Sequence, residues 1–187
     1  IYTGEDTLSL HDALPISGES RGASVIREFQ PMSSAARMEI GAFKALVPEV
    51  YDALFALGQT AAAAGLEKDL IELVKIRASQ INGCAYCVQF HVNLARTLGV
   101  ETAKLDQIAV WPESQVYTPR ERAALALTDT LTNIAGQEIP DDLFDEVQDE
   151  FDEKQVACLI GAIGVINTWN RIAITYRFTA PHAAKAK

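Results

Sequence analysis

Leu70-Ile71-Glu72-Leu73-Val74-Lys75-Ile76-Arg77-Ala78-Ser79-Gln80-Ile81-Asn82-Gly83-Cys84-Ala85-Tyr86-Cys87-Val88-Gln89-Phe90-His91 reads as a helix, a turn and a second helix. Leu70, Leu73, Val74 and Ile76 carry the apolar stripe of the first helix. Asn82-Gly83 is a strong stop, because both residues tolerate the left-handed conformation that closes a helix. Cys84, Cys87 and His91 then follow at helical spacing, which sets two thiols and an imidazole on one face. Sulfurs so placed can close a short disulfide, and the imidazole can accept or return a proton.

The turn folds the two helices back as an antiparallel pair. Glu72 lies ten residues before Asn82 and His91 eight after Gly83, so at equal rise they come level. Glu72 is then expected to hydrogen-bond His91, directly or through water, in the carboxylate–imidazole–thiol logic of an activated nucleophile. The attacking species is the thiolate, and free cysteine has a pKa near 8.5. A helix N-terminus carries roughly half a positive charge, and both cysteines fall in the first turn. On that ground alone Cys84 is the better-stabilised thiolate.

Outward from this stretch the chain reads as helices punctuated by glycine. Pro48 opens one whose stripe is Val50, Leu54 and Leu57, ending at Gly65. A helix from the cysteines runs to Leu98-Gly99, and a short one from Glu101 to Ala109 leads into an irregular Trp111-Pro112 stretch. Thr118-Pro119-Arg120-Glu121 and Asp152-Glu153-Lys154-Gln155 are capping boxes, the second opening a long helix to about Arg177. Pro140 opens an acidic helix to about Glu150, read as a solvated face. No period-2 strands occur, and the fold class is all-α, a compact multi-helix bundle with the Cys-x-x-Cys at the start of a core helix.

The 187 residues suit one domain, expected over residues 32–180. Residues 1–31 read as a non-native or disordered leader. Its first seventeen resemble a translated sequencing-adapter read-through, with Met32 or Met38 as the native start. Residues 181–187 read as a flexible tail. Net charge is −9, unattractive to nucleic acid or an anionic membrane surface. No apolar run approaches the roughly 20 residues that span a bilayer, and Val156 to Asn170 reads as a buried helix. Three cysteines are too few for a disulfide scaffold, so the pair is expected to be catalytic or metal-binding in a reducing cytoplasm. Cys158, on an apolar helix, reads as core filler.

The quoted stretch resembles the core of the alkylhydroperoxidase D / carboxymuconolactone decarboxylase family. Ser79-Gln80-Ile81-Asn82-Gly83-Cys84 is close to the family pattern, and Asn167-Thr168-Trp169-Asn170-Arg171 is similar to members of the group. The likeness runs from about Gly41 to Phe178. It implies an all-helical fold that assembles into trimers or hexamers. It also implies a thiol-dependent peroxidase or disulfide oxidoreductase that uses no cofactor. Carried onto this chain, Cys87 is the peroxidatic residue, Cys84 the resolving residue and proton donor, and Glu72 and His91 the proton relay. A dihydrolipoyl or thioredoxin-like protein is the partner expected to regenerate the dithiol. Where some family peroxidases have a relay histidine between the cysteines, this chain has Tyr86, whose phenol, with a pKa near 10, shuttles protons poorly at neutrality.

Other readings stand beside this one. The nearest is a lactone-processing decarboxylase, a branch that does not depend on a cysteine pair. Cys84, Cys87, His91 and Glu72 also match a tetrahedral zinc site in a metal-binding or redox-sensing protein. Glu72 has a plain role open to it as an ion pair with Lys75, and an inert cysteine pair would leave a helical assembly subunit. The substrate pocket of the peroxidase is expected to be apolar, lined by Phe90 and Ile81 and by aromatic residues of a neighbouring subunit.

Overall fold

The computed structural model describes residues 35–182; the first 34 residues, with the expected leader, and residues 183–187 lie outside the described residues. Eight α-helices and one 3₁₀ segment are present among the described residues, with no strand. They are α1 (Ile40–Leu46), α2 (Pro48–Ala63), α3 (Lys68–Ile81), α4 (Ala85–Leu98) and α5 (Thr102–Gln107). The 3₁₀ segment Ile108–Glu113 follows, then α6 (Pro119–Thr132), α7 (Asp141–Glu150) and α8 (Glu153–Tyr176). The fold is an all-α bundle.

Its two scaffold helices are α3 and α8. α3 buries nearly all round, through Leu70, Ile71, Leu73, Val74, Ile76 and Ala78, and packs on α4, α6 and α8. The long α8 packs on α2, α3, α4, α6 and α7, burying Leu159, Ala162, Ile163 and Ile166. Asp152 and Gln155 start it with a reciprocal capping box, as Thr118 and Glu121 start α6. At 24 residues α8 is long and apolar enough to cross a membrane by length and composition, which the sequence reading did not anticipate. It packs against five other helices, and 44% of that apolar stretch is buried among them.

Polar pins hold the elements in register. Arg77 on α3 donates twice to Asp129 on α6, at 2.6 and 2.8 Å, and once to the Ala109 carbonyl. Trp111 Nε1 donates to the same aspartate at 3.1 Å, which ties the 3₁₀ segment down. That segment replaces the expected helix end at Ala109 and the irregular run after it. α5 stops at Gln107, and the chain tightens around Pro112, which has no N–H to extend an α-helix. Asn93 Nδ2 on α4 donates to the His182 carbonyl at 2.8 Å.

The stripe of α2 differs from the expected one. Val50 is 47% and Leu57 44% exposed, whereas Ala61 is fully buried and Tyr51, Leu54 and Gly58 are partly buried. The helix is turned so that the row Tyr51, Leu54, Gly58, Ala61 meets α8. Both rows have helical spacing, and the small residues Gly58 and Ala61 let α2 lie close to α8.

Candidate active site

The turn that carries Cys84 is a complete Schellman motif. Cys84 N–H donates to the Ser79 carbonyl at 2.9 Å and Gly83 N–H to the Gln80 carbonyl at 3.1 Å. Gly83 sits at φ 72°, where glycine is unstrained. A buried amide network fastens this turn to α8. Asn82 Nδ2 donates to Asn167 Oδ1 at 2.8 Å and to Asn170 Oδ1 at 2.9 Å, and Asn170 Nδ2 donates to Ser79 Oγ at 3.0 Å.

Cys84 is the N-cap of α4 rather than a first-turn residue, and its sulfur accepts the Cys87 N–H at 3.3 Å. One side chain therefore ends the turn and satisfies an amide that the helix start leaves without a partner. Cys84 and Cys87 are joined as a disulfide, with Cα atoms 5.4 Å apart. Both are buried. The reduced sulfurs would face the positive end of α4, which favours the thiolate.

His91 lies one turn beyond Cys87, and its Nδ1 is 2.6 Å from Glu72 Oε2. Lys75 Nζ donates to the other carboxylate oxygen at 3.0 Å, so Glu72 serves the imidazole and the ammonium together. Burial works to raise the Glu72 carboxyl, but the hydrogen bond and charge of His91, then Lys75, outweigh it and hold the group below the usual carboxylate range. Burial pushes the His91 imidazole below its usual value, against the pull of Glu72, and Lys75 adds to the lowering. Near neutrality the pair is an ionised Glu72 and a neutral His91. Its Nδ1–H then donates to Glu72, leaving Nε2 with a free lone pair.

Cys87, His91 and Glu72 line a cavity of about 400 Å³ walled by α2, α3, α4 and α8. Its apolar wall comes from Phe90 and from residues not expected there, Tyr51, Phe55, Tyr86, Trp169 and Phe178. Ile81, expected in the wall, is absent from it; α3 turns that position away from the face bearing Glu72 and Lys75. Phe178 reaches the wall because Arg177 takes a left-handed conformation at the end of α8, turning the chain inward so that Phe178 meets the Tyr86 ring edge-on at 5.4 Å. Burial, then Tyr51 and Glu39, raises the Tyr86 phenol above its usual value, so it stays protonated.

The zinc reading finds no support in this arrangement. Each sulfur is bonded to the other, and Glu72 and His91 to each other. Among the described residues no group of three or more His, Cys, Asp or Glu side chains is placed to hold a metal ion.

Residues 48–130 match the model of the carboxymuconolactone decarboxylase family. The chain is 42% identical over 103 residues to the uncharacterized protein YdfG of Bacillus subtilis strain 168, covering 55% of this chain and 70% of YdfG. The chain belongs to the carboxymuconolactone decarboxylase family. A solved structure from Agrobacterium tumefaciens, of a protein of unknown function named as a candidate antioxidant-defence protein AhpD, superposes with a TM-score of 0.73. It is 40% identical, over 79% of this chain and 99% of that one. The alkylhydroperoxidase AhpD core of an uncharacterized peroxidase-related protein from Ralstonia eutropha JMP134 gives a TM-score of 0.66 at 23% identity, over 75% of each chain, and supports the fold alone. Membership in the carboxymuconolactone decarboxylase family, with AhpD-like relatives, supports an enzymatic role of peroxidase-related or decarboxylase type.

Proposed function

We propose that this protein is a thiol-dependent peroxidase in which Cys87 is oxidised and Cys84 resolves it. The observation that carries the reading is the Cys84–Cys87 disulfide at the start of α4, with Cys87 opening onto the same cavity as the Glu72–His91 pair. In the cycle, His91 Nε2 takes the Cys87 thiol proton, with Glu72 stabilising the imidazolium. The thiolate attacks the distal hydroperoxide oxygen and the O–O bond breaks. The alkoxide takes up a proton and leaves as alcohol, and Cys87 is left as a sulfenic acid. Cys84 sulfur then attacks the sulfenic sulfur, expelling water and closing the disulfide. An external dithiol restores both thiols by exchange and is itself oxidised to a disulfide.

The apolar, aromatic wall supports an organic hydroperoxide as substrate. The regenerating dithiol we assign to a dihydrolipoyl or thioredoxin-like protein, and the reducing cytoplasm is the compartment that such a cycle suits. Homo-oligomeric assembly, as trimer or hexamer, is part of the same proposal. It is supported by exposed apolar side chains outside the core, Leu46 at 65%, Val50 at 47% and Leu57 at 44%. The lactone-processing reading rests on family membership alone.

The direct test adds one equivalent of cumene hydroperoxide to the reduced protein and follows intact mass with peptide mapping. A loss of two hydrogens mapped to a Cys84–Cys87 bridge is expected, and Cys84→Ser should trap sulfenic acid on Cys87. Sulfenic acid found on Cys84 in a Cys87→Ser variant, with none on Cys87 in Cys84→Ser, reverses the two roles.

A further inference from the structure

The two cysteines of the disulfide line different hollows, on opposite sides of α4. Cys87 lines the large cavity with Tyr86, Phe90, His91 and Leu94, which share one face of the helix. Cys84 lines a separate recess of about 470 Å³ with Gln80, Gly83, Ala85, Val88 and Gln89. At 100° per residue, positions 85, 88 and 89 fall on the side of α4 away from positions 86, 90 and 94. The two hollows have no lining residue in common.

We propose that the recess beside Cys84 is the binding site of the reducing dithiol, so that peroxide and reductant reach one disulfide from two sides. This inference rests on the peroxidase reading only for the origin of the disulfide. Thiol–disulfide exchange needs the incoming thiolate to approach the attacked sulfur along the line of the S–S bond, from the side away from the leaving sulfur. Cys84 lines the recess and is absent from the wall of the peroxide cavity. The reductant's thiolate bonds to Cys84 Sγ, the S–S bond breaks, and Cys87 departs as a thiolate at the positive end of α4 with His91 one turn away. The reductant's second thiolate then attacks its own mixed-disulfide sulfur, Cys84 leaves as a thiolate and takes up a proton, and the dithiol departs oxidised.

The chemistry of the recess selects the ligand. None of its lining residues is charged. Gln80 Oε1 is the one buried side-chain acceptor with no hydrogen-bond partner among the described residues. A hollow lined without charge suits an uncharged dithiol arm better than a charged one. Cys84, at 1% exposure, is reached by a slender arm and not by a flat protein surface.

The test follows the two half-reactions separately. Protein oxidised with diamide, which needs no peroxidase activity, is mixed with dihydrolipoamide, and thiol recovery is followed by quenched alkylation. Reduced protein is mixed with cumene hydroperoxide in parallel, and folding of each variant is checked by circular dichroism. Val88→Trp, which fills the recess, is expected to slow reduction at least tenfold more than it slows oxidation; Leu94→Trp, which fills the cavity, should do the reverse. In a Cys87→Ala, Cys158→Ser background, Val88→Trp should also block a thionitrobenzoate mixed disulfide on Cys84. Reduction that slows with Leu94→Trp, or ignores Val88→Trp, overturns the proposal. Protein inert to cumene hydroperoxide whose reduction still depends on position 88 leaves the recess standing and removes the peroxidase reading.

Discussion

Glu72 holds His91 Nδ1 on one carboxylate oxygen at 2.6 Å while Lys75 Nζ occupies the other at 3.0 Å. The carboxylate thus fixes the imidazole tautomer and keeps a half-buried lysine side chain paired. Glu72→Gln separates these duties from mere occupancy, because the amide fills the same space without the charge. We expect single-turnover oxidation of Cys87 to slow roughly 10²-fold, in the range for loss of a positioned acid–base group. Stability should fall by about 2 kcal/mol as Lys75 loses its charged acceptor. Stopped-flow oxidation and urea unfolding measure the two effects. Lys75→Met, which leaves the His91 contact intact, should slow oxidation far less, and an equal loss in both variants would argue against the relay.

The same pair sets a pH dependence whose sign is determined. His91 has a folded pKa below its unfolded value of about 6.5, and Glu72 one below its unfolded value of about 4.3. In each case the unfolded chain binds the proton first as pH falls, so both groups make stability rise with pH. Their contributions are complete above about pH 7 and decline on acidification, His91 beginning near 6.5 and Glu72 below about 4.3. Urea midpoints should therefore be flat from pH 7 to 8 and decline below 6.5. In His91→Gln the upper part of that decline should vanish.

The helix pair and its contact were legible because they depend on counting. A stop at Asn82-Gly83 and equal rise on either side bring Glu72 level with His91, whatever the rest of the chain does. The α2 stripe was misread because two rows of that helix have helical spacing. Which row is buried depends on how closely Gly58 and Ala61 lie to α8, and hydrophobicity favours Val50 and Leu57 over them. The cavity wall was invisible for a related reason. Tyr51, Trp169 and Phe178 come from three distant segments, and only packing brings them together. Asn167 and Asn170 on an apolar helix signal a buried polar network, but their partner Asn82 lies in a turn whose Asn-Gly pair reads fully as a helix cap.

Gly83 offers a clean test of the turn. A Cβ built there meets nothing within 4 Å, so any cost of Gly83→Ala comes from the φ of 72° and not from a clash. We expect a loss of about 1–2 kcal/mol, the penalty of a left-handed residue with a Cβ. Gly83→Asn should lose less, since asparagine visits that region more readily. Urea midpoints with unchanged m-values would identify the effect as one on native stability. A loss well above that range would mean that the backbone around Cys84 also has to move.

Tyr86 stands next to Cys87 in sequence, in the wall of the cavity, with its phenol held above its usual pKa. A group that stays protonated through the neutral range can donate a hydrogen bond but does not carry protons in a cycle. Tyr86→His puts a titratable group at that point, and smaller volume leaves room for it against Phe90 and Phe178. Single-turnover oxidation of Cys87 by cumene hydroperoxide should accelerate about tenfold at pH 7 and gain a pH dependence centred near 6.5, the ordinary range of imidazole. Tyr86→Phe separates that gain from loss of the hydroxyl, and should show neither acceleration nor a new titration. If Tyr86→His and Tyr86→Phe oxidise at the same rate at every pH, proton supply at this position does not limit the reaction, and the Glu72–His91 pair suffices on its own.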